Sequence, residues 1–441
     1  MNTPIVDFVK KYAESGVSRL HMPGHKGVSV LGVEQLDITE VNGADVLYSP
    51  EGIILESENN ATEIFKTAHT YYSTEGSSLC IKAMLAIATN GKSKTVLAAR
   101  NVHKAFLYGA ALLDLTVEWL YPEEAEHICA CQVTVDSLRE KLQLMAELPS
   151  AVYVTSPDYL GNVQDIKGLS EVCHSFGVPL LVDNAHGAYL GFLKESKHPI
   201  HLGADMCCDS AHKTLPVLTG GAYLHVSRNA PDNFQNNARR FLSVFASTSP
   251  SYLILQSLDL CNLELSDGFG VKLSKTAERV AKLKETLRTF GWSLLGDEPL
   301  KITVDCLKSG FSGEEIAVKL REQGVECEFY DRDVAVLMFS PCNNETDFEC
   351  IKKTFLMLKT GRTVDRKFFK FKECVSKLSI REAIFAPQET VDIESALGGI
   401  CAAPNVACPP AVPPVMSGEV ITEDVIRILK YYDIKKIDVV K

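Results

Sequence analysis

Short apolar runs alternate with helical patterns through the middle of this chain, and that alternation limits the fold more than any other property of the sequence. The runs stand at Thr95–Ala99, Thr116–Leu120, Ala151–Thr155, Val178–Val182, Ala204–Cys208 and Gly221–Val226. They have strand length and mostly lack period-two alternation, which is the mark of strands buried on both faces. Between them Val135–Glu147 and Ile166–Phe176 carry helical periodicity, the second closing at Gly177, where a left-handed cap fits. Strand and helix in repetition predict an α/β fold with a doubly wound, mostly parallel sheet.

After Leu265 the texture changes. The charged stretch Lys272–Phe290 sets Val280, Leu283 and Leu287 on one helical face and reads as a spanning helix that leaves the first domain. Beyond it, predicted strands Ile302–Cys306 and Val334–Phe339 and helices Glu314–Gln323 and Phe348–Lys359 make a smaller α/β unit. Ala402–Pro414 holds five prolines and suits neither a regular helix nor a central strand. The expected organisation is therefore a segment 1–60, a large domain 61–270, a small α/β domain 271–365 and a C-terminal lobe 366–441 that closes with a helix over Thr422–Tyr432.

Composition excludes several classes. With 441 residues, 46% apolar and 23% charged, the chain is long enough for a substantial core and too apolar for disorder. A net charge of −11, with only the short basic run Arg362–Lys372 to set against it, argues against binding a nucleic-acid backbone. The 14 cysteines are scattered without the paired C-x-x-C spacing of a zinc site, so Cys129/Cys131 and Cys207/Cys208 read as buried thiols of a reducing compartment. No apolar signal region opens the chain and no window is apolar enough to span a membrane, which makes the cytoplasm the expected location.

Four segments concentrate polar residues at the ends of predicted strands, where open α/β sheets hold ligands. Asp183, in Val182-Asp183-Asn184-Ala185-His186-Gly187, either caps a turn or faces a ligand. Lys213, in Asp209-Ser210-Ala211-His212-Lys213-Thr214, is either an exposed loop lysine or a desolvated amine suited to Schiff-base formation. Ser73-Thr74-Glu75-Gly76-Ser77-Ser78 before Leu79–Thr89 is either an ordinary helix start or a phosphate cradle. His103, in Arg100-Asn101-Val102-His103-Lys104, is either a surface histidine or a stacking ring. Together they ask for a ligand with a phosphate, a carbonyl, a cationic nitrogen and a flat ring, and pyridoxal 5′-phosphate has all four. Neither G-x-G-x-x-G nor G-x-x-x-x-G-K-[ST] is present, and the one H-x-x-x-H spacing, His21 to His25, is interrupted by Pro23-Gly24, so no metal is expected.

These strings resemble the Orn/Lys/Arg decarboxylase family, in a short form without an N-terminal wing domain. Leu20-His21-Met22-Pro23-Gly24-His25-Lys26-Gly27 is similar to its H-x-P-G-H-K-G signature, followed by Asp37-Ile38-Thr39-Glu40 and Pro50-Glu51-Gly52. Asp183–Gly187 resembles D-E-A-H-G and Ser210–Leu215 resembles S-x-H-K-T-L. Pro409-Pro410, Ser417-Gly418-Glu419 and Ile421-Thr422 are similar to the C-terminal pattern. The resemblance implies pyridoxal-phosphate fold type I, with Lys213 as the Schiff-base lysine, Asp183 paired to the pyridinium nitrogen, His103 on one ring face and Ala185 on the other. Gly76, Ser77, Ser78, Ser210 and His212 would hold the phosphate and His186 would lie near the phenolic oxygen. It also implies a homodimer with shared active sites, with segment 1–60 near both site and interface. Three positions depart from the pattern: Glu75 stands for Asn, Asn184 for Glu, and Gly220 for a bulkier residue.

The implied reaction is loss of CO₂ from a basic amino acid, arginine before lysine or ornithine, giving agmatine or a diamine for polyamine metabolism. His212 or Lys213 would return the proton to Cα. The alternative is an aminotransferase of the same fold, whose small-domain R-[IF]-S arginine would clamp the α-carboxylate. Val336-Leu337-Met338-Phe339-Ser340 has no such arginine, although Arg332 and Arg381 are placed to reach inward from elsewhere in the chain. A scaffold without chemistry is disfavoured by the intact Lys213 and Asp183.

Overall fold

The computed structural model describes residues 1–122, 127–361, 364, 373–404 and 413–441; most of the basic run 362–372 and the Pro409-Pro410 pair lie outside them. The chain is a mixed α/β protein with a large, mostly parallel sheet, made of β1 (His69–Ser73), β2 (Thr95–Ala99), β3 (Thr116–Leu120), β4 (Ala151–Thr155), β5 (Leu180–Asp183), β6 (Met206–Asp209) and β7 (Ala222–Val226). Two compact units are formed, the first from Met1–Lys92 and Ile166–Lys272, the second from Ser93–Asp165 and Leu273–Lys441.

The first unit holds β1-β7-β6-β5 in that spatial order. β5 and β6 run parallel, whereas β7 is antiparallel to both β6 and β1, a reversal that apolar patterning does not encode. β5, β6 and β7 are buried along their whole length, as continuous apolar runs require. β5 and β6 each start two residues later than their sequence predicts. The Val178 N–H closes the preceding helix on Cys173 O (3.0 Å), with Gly177 in the left-handed conformation (φ 69°), so pairing begins only at Leu180. Asp205 accepts the Leu180 N–H at 2.8 Å through its side chain, so β6 begins at Met206. The displacement puts Asp183 and Asp209 at the last positions of their strands.

In the second unit β4-β2-β3 is a parallel run. β3 is an edge strand and only Leu120 in it is fully buried, a correction to the expectation of two-sided burial. The helix Phe269–Thr289 buries Val280, Leu283 and Leu287 against Trp292, Ile302 and Val304, a core beneath the antiparallel sheet β8 (Leu294–Leu295), β9 (Lys301–Asp305), β10 (Phe329–Tyr330) and β11 (Val334–Met338). The C-terminal part adds β12 (Gln388–Asp392), β13 (Cys401–Ala403) and β14 (Lys436–Val440), paired antiparallel in the order β12-β14-β13. Its core joins Val425, Leu429 and Ile437. Ala402 and Ala403 thus continue a strand into the proline-rich stretch. Among the described residues no helix is long and apolar enough to cross a membrane.

Candidate active site

The first unit gathers most of the expected site residues at the C-terminal ends of β5 and β6. Asp183 is 2% exposed and its Oδ1 accepts the Ala185 N–H at 3.1 Å, so the carboxylate organises the turn that follows its strand. Ala185 and His186 lie on that turn, both buried. Lys213 is not on a loop. Ser210, at the end of β6, is the N-cap of a single helical turn, Ala211–Thr214, which carries Lys213 and is closed by the Lys213 N–H on Ser210 O at 3.0 Å. This turn delivers the Lys213 Nζ to 3.1 Å from His186 Nε2.

The helix Gly76–Thr89 starts opposite. Gly76 has φ 71°, its N–H donates to Gly220 O at 2.7 Å, and Ser77 and Ser210 hydroxyls meet at 2.8 Å. Ser78 sits on the same first turn. Gly220 is required by its own geometry: φ is 99°, and a Cβ there would stand 3.0 Å from Thr74 O. The position where the family pattern has a bulkier residue is therefore one where this chain has no room for one. Glu75 is exposed and its carboxylate accepts the Ser247 N–H at 2.7 Å, which directs the extra charge to the 247 loop.

His212 Nδ1 lies 3.0 Å from Gly221 O, and burial pushes its pKa below the ordinary value despite that bond. A neutral ring whose Nδ1 proton is committed to a carbonyl serves to fix the turn. Its Nε2 then carries a lone pair. His103 belongs to the second unit, where it caps the helix Lys104–Leu113 and its Nδ1 accepts the Ala105 N–H at 3.1 Å. Arg332 lies over the Tyr431 ring (4.5 Å), and Arg381 donates to Ala111 O at 2.8 Å, so both are engaged within the second unit. Arg100, in the same segment as His103, is a structural ion-pair residue bound to Glu419.

The donor set of the first unit fits a phosphorylated pyridine aldehyde. A 14-residue helix opens at Gly76, the Ser77 and Ser78 N–H groups of its first turn have no helical partner, and a Cβ at Gly76 would meet no atom within 4 Å. Hydroxyls of Ser77 and Ser210 converge there, and the buried Thr214 Oγ1 makes no hydrogen bond among the described residues. A lysine and a buried carboxylate complete the set. Sequence reasoning assigned no role to Asp209, His198 and His225, which form a buried cluster directly behind it. The one available signal was the Cys207/Asp209 spacing, which puts two polar groups on the same face of β6.

Residues 3–295 match a protein-family model described as Orn/Lys/Arg decarboxylase, major domain. Among curated relatives, an arginine decarboxylase of Bacillus subtilis (strain 168) is 26% identical over 455 residues, covering 96% of this chain and 92% of the relative. Among solved structures, the constitutive lysine decarboxylase of E. coli superposes with TM-score 0.80 at 18% identity, covering 100% of this chain and 82% of that one. Lysine decarboxylase A of Pseudomonas aeruginosa gives TM-score 0.82 at 17% identity, with 99% and 80% covered.

Proposed function

This chain belongs to the Orn/Lys/Arg decarboxylase family and is a decarboxylase of basic amino acids, and from that premise we propose that it converts arginine to agmatine and CO₂ using pyridoxal 5′-phosphate. The observation that carries the cofactor assignment is the convergence of Lys213, His186 and Asp183 beside the Gly76 turn in the first unit. Arginine is preferred over lysine and ornithine because curated relatives matched over more than nine-tenths of their length are named arginine decarboxylase. Agmatine would feed polyamine synthesis.

Pyridoxal phosphate, when bound, supplies an aldehyde that takes up an amine and a protonated ring that accepts electrons as CO₂ departs. Lys213 would hold the cofactor's aldehyde through its amine, which His186 Nε2 faces at 3.1 Å. Asp183, buried and held by the Ala185 N–H, would keep a proton at the ring nitrogen. Ser77, Ser78 and Ser210 would hold the phosphate through N–H and O–H donors, with Gly76, whose own N–H is taken by Gly220 O, leaving the room beside them and His212 pinning the Lys213 turn to Gly221. Ala185 would lie against one ring face; His103, which the resemblance puts on the other, belongs to the second unit. We give the return of the proton to Cα to Lys213 and not to His212, whose lowered pKa leaves it neutral.

The working form we propose is a homodimer in the cytoplasm. On segment 16–47 Leu20 (94% exposed), Val30 (81%) and Leu31 (84%) stand out in solvent. The 30–33 loop is nevertheless held firmly: the Glu34 carboxylate accepts the N–H groups of Leu31, Val30, Gly32 and Val33, bonds that bring its pKa to about 2. A fixed loop displaying apolar side chains is suited to burial by a second copy.

CO₂ release from arginine, lysine and ornithine tests the reading. Arginine should be the best substrate and Lys213→Ala should abolish turnover. No CO₂ from any of the three, together with conversion of added 2-oxoglutarate to glutamate, would make the enzyme an aminotransferase.

A further inference from the structure

A wholly buried cluster lies behind the proposed cofactor residues. Asp209, at the end of β6, is 0% exposed and holds three donors. Its Oδ2 accepts from His198 Nε2 at 3.0 Å and from His225 Nε2 at 3.1 Å, and its Oδ1 accepts from Asn184 Nδ2 at 2.6 Å. His225, on β7, reaches Thr70 Oγ1 on β1 (2.9 Å) through its other nitrogen. Phe65 covers His225 and His198 with ring centroids at 4.5 and 5.7 Å. Burial alone would raise the Asp209 pKa; the two histidines overcome it and keep the carboxyl ionised.

Asp209 is itself fully buried, but it is joined to two residues that flank the proposed site residues. Asn184 directly follows Asp183, and its N–H also donates to Cys208 O at 3.0 Å. Ser210 directly follows Asp209 and caps the turn that bears Lys213. The Asn184–Asp209 bond therefore ties the strand end that carries the proposed ring-nitrogen partner to the strand end that carries the phosphate and amine groups. The amide orientation is fixed, since an ionised carboxylate accepts only; Asn184 Oδ1 accordingly has no hydrogen-bond partner among the described residues. Gly187 preserves the arrangement, because a Cβ there would stand 2.0 Å from that oxygen. A glutamate at 184, as in the D-E-A-H-G string, would point a second carboxylate at Asp209 in a buried site. The departure at 184 and the acid at 209 thus form one unit.

We propose that Asp209, with His198 and His225 as its fixed donors, is a positioning residue that sets Asp183 and Lys213 in register for the cofactor through Asn184. The inference rests on the pyridoxal-phosphate reading given above. It needs no contact between Asp209 and the cofactor, only a clamp between two strand ends that otherwise fray independently beyond their last ladder bonds.

The test uses the full chain loaded with pyridoxal phosphate, and reads the cofactor dissociation constant and the pH titration of the bound cofactor's visible absorbance alongside thermal melting. Asn184→Asp opposes two buried carboxylates and should weaken retention at least tenfold and displace the titration. The double variant N184D/D209N restores one donor and one acceptor and should return both readouts to within about threefold of the unmodified chain. Where N184D does not fold, Asn184→Ala removes the bond without adding charge and should still weaken retention several-fold at a temperature where the variant, although it melts lower, is fully folded. Retention and titration within twofold for folded N184D or N184A would overturn the proposal, as would a double variant no better than the single. Stoichiometric zinc in the purified chain would also overturn it, since His198, Cys207 and Asp209 offer ligand atoms within 4.8 Å of one another and Asp209 would then be a ligand. If the unmodified chain gains no visible absorbance with pyridoxal phosphate, the cofactor reading itself fails, and the proposal falls with it.

Discussion

Replacing Arg100 with Met is expected to cost the second unit about 3–5 kcal/mol, the usual loss when one partner of a buried ion pair is removed. The guanidinium is 0% exposed and Glu419 2% exposed. Nη1 donates to Oε1 at 2.7 Å and Nη2 to Oε2 at 2.6 Å, a two-pronged pairing, while Met416 N–H adds a third bond to Oε2 at 2.7 Å. The same guanidinium lies 4.8 Å from the Tyr121 ring and 5.3 Å from Trp119, contacts that contribute roughly 0.5–2 kcal/mol each when desolvated. Methionine fills the stem volume but leaves the carboxylate with one N–H donor in a site closed to water, and that uncompensated charge dominates the loss. Both tryptophans of the chain, Trp119 and Trp292, belong to the second unit, so intrinsic fluorescence during urea unfolding reports on it directly. With a slope on the order of 1–3 kcal/mol per molar urea the midpoint should fall by at least about 1 M. The double variant R100M/E419M removes the stranded charge and should recover half or more of the deficit. As a control, Lys319→Ala breaks an exposed pair with Glu322 (47% and 51% exposed) and should change stability by less than about 1 kcal/mol. An Arg100→Met variant within about 1 kcal/mol of the unmodified chain, or a double variant as unstable as the single, would refute the reasoning.

Two further outcomes follow from the structure. Burial brings the Lys284 pKa down to about 8 from 10.5 while its Nζ donates to Glu298 O at 2.8 Å; between those values the unfolded chain keeps a proton the folded chain has released, so stability should rise with pH above about 8. Urea unfolding at a series of pH values should show that rise in the unmodified chain and lose it in Lys284→Met, and an identical pH profile for the two would contradict the assignment. Leu31→Asp, which puts a charge on the apolar tip of the 30–33 loop, should shift sedimentation from dimer toward monomer with the melting of the isolated subunit unchanged; a variant that remains fully dimeric at micromolar concentration removes that loop from the interface.

Arg100 also marks where reading the chain stops. In sequence it stands three residues before His103, at a strand end, and looks like part of a ligand segment. Its partner is 319 residues away, and no local pattern links the two. Glu419 likewise was legible only as a member of a C-terminal string, while its work is to neutralise a buried cation.

Local order was legible because burial imposes it locally. The spans Thr95–Ala99, Thr116–Leu120 and Ala151–Thr155 are strands to the residue, since short runs rich in β-branched, aromatic and other apolar residues have few other stable uses, and the Val280, Leu283 and Leu287 stripe is buried as its spacing requires. The Lys213 and Asp183 segments were legible because the groups that the chemistry needs lie within a few residues of strand ends. What tertiary structure alone decided is direction and partnership: the antiparallel return of β7 between β6 and β1, the half-exposed edge at β3, the helical turn under Lys213, and the meeting of Asn184, His198, Asp209 and His225. Those depend on which strand edges and buried polar groups satisfy one another across long loops. Hydrogen-bond completion in the interior is a property of the assembled fold, and a one-dimensional pattern of apolar and polar residues carries no record of it.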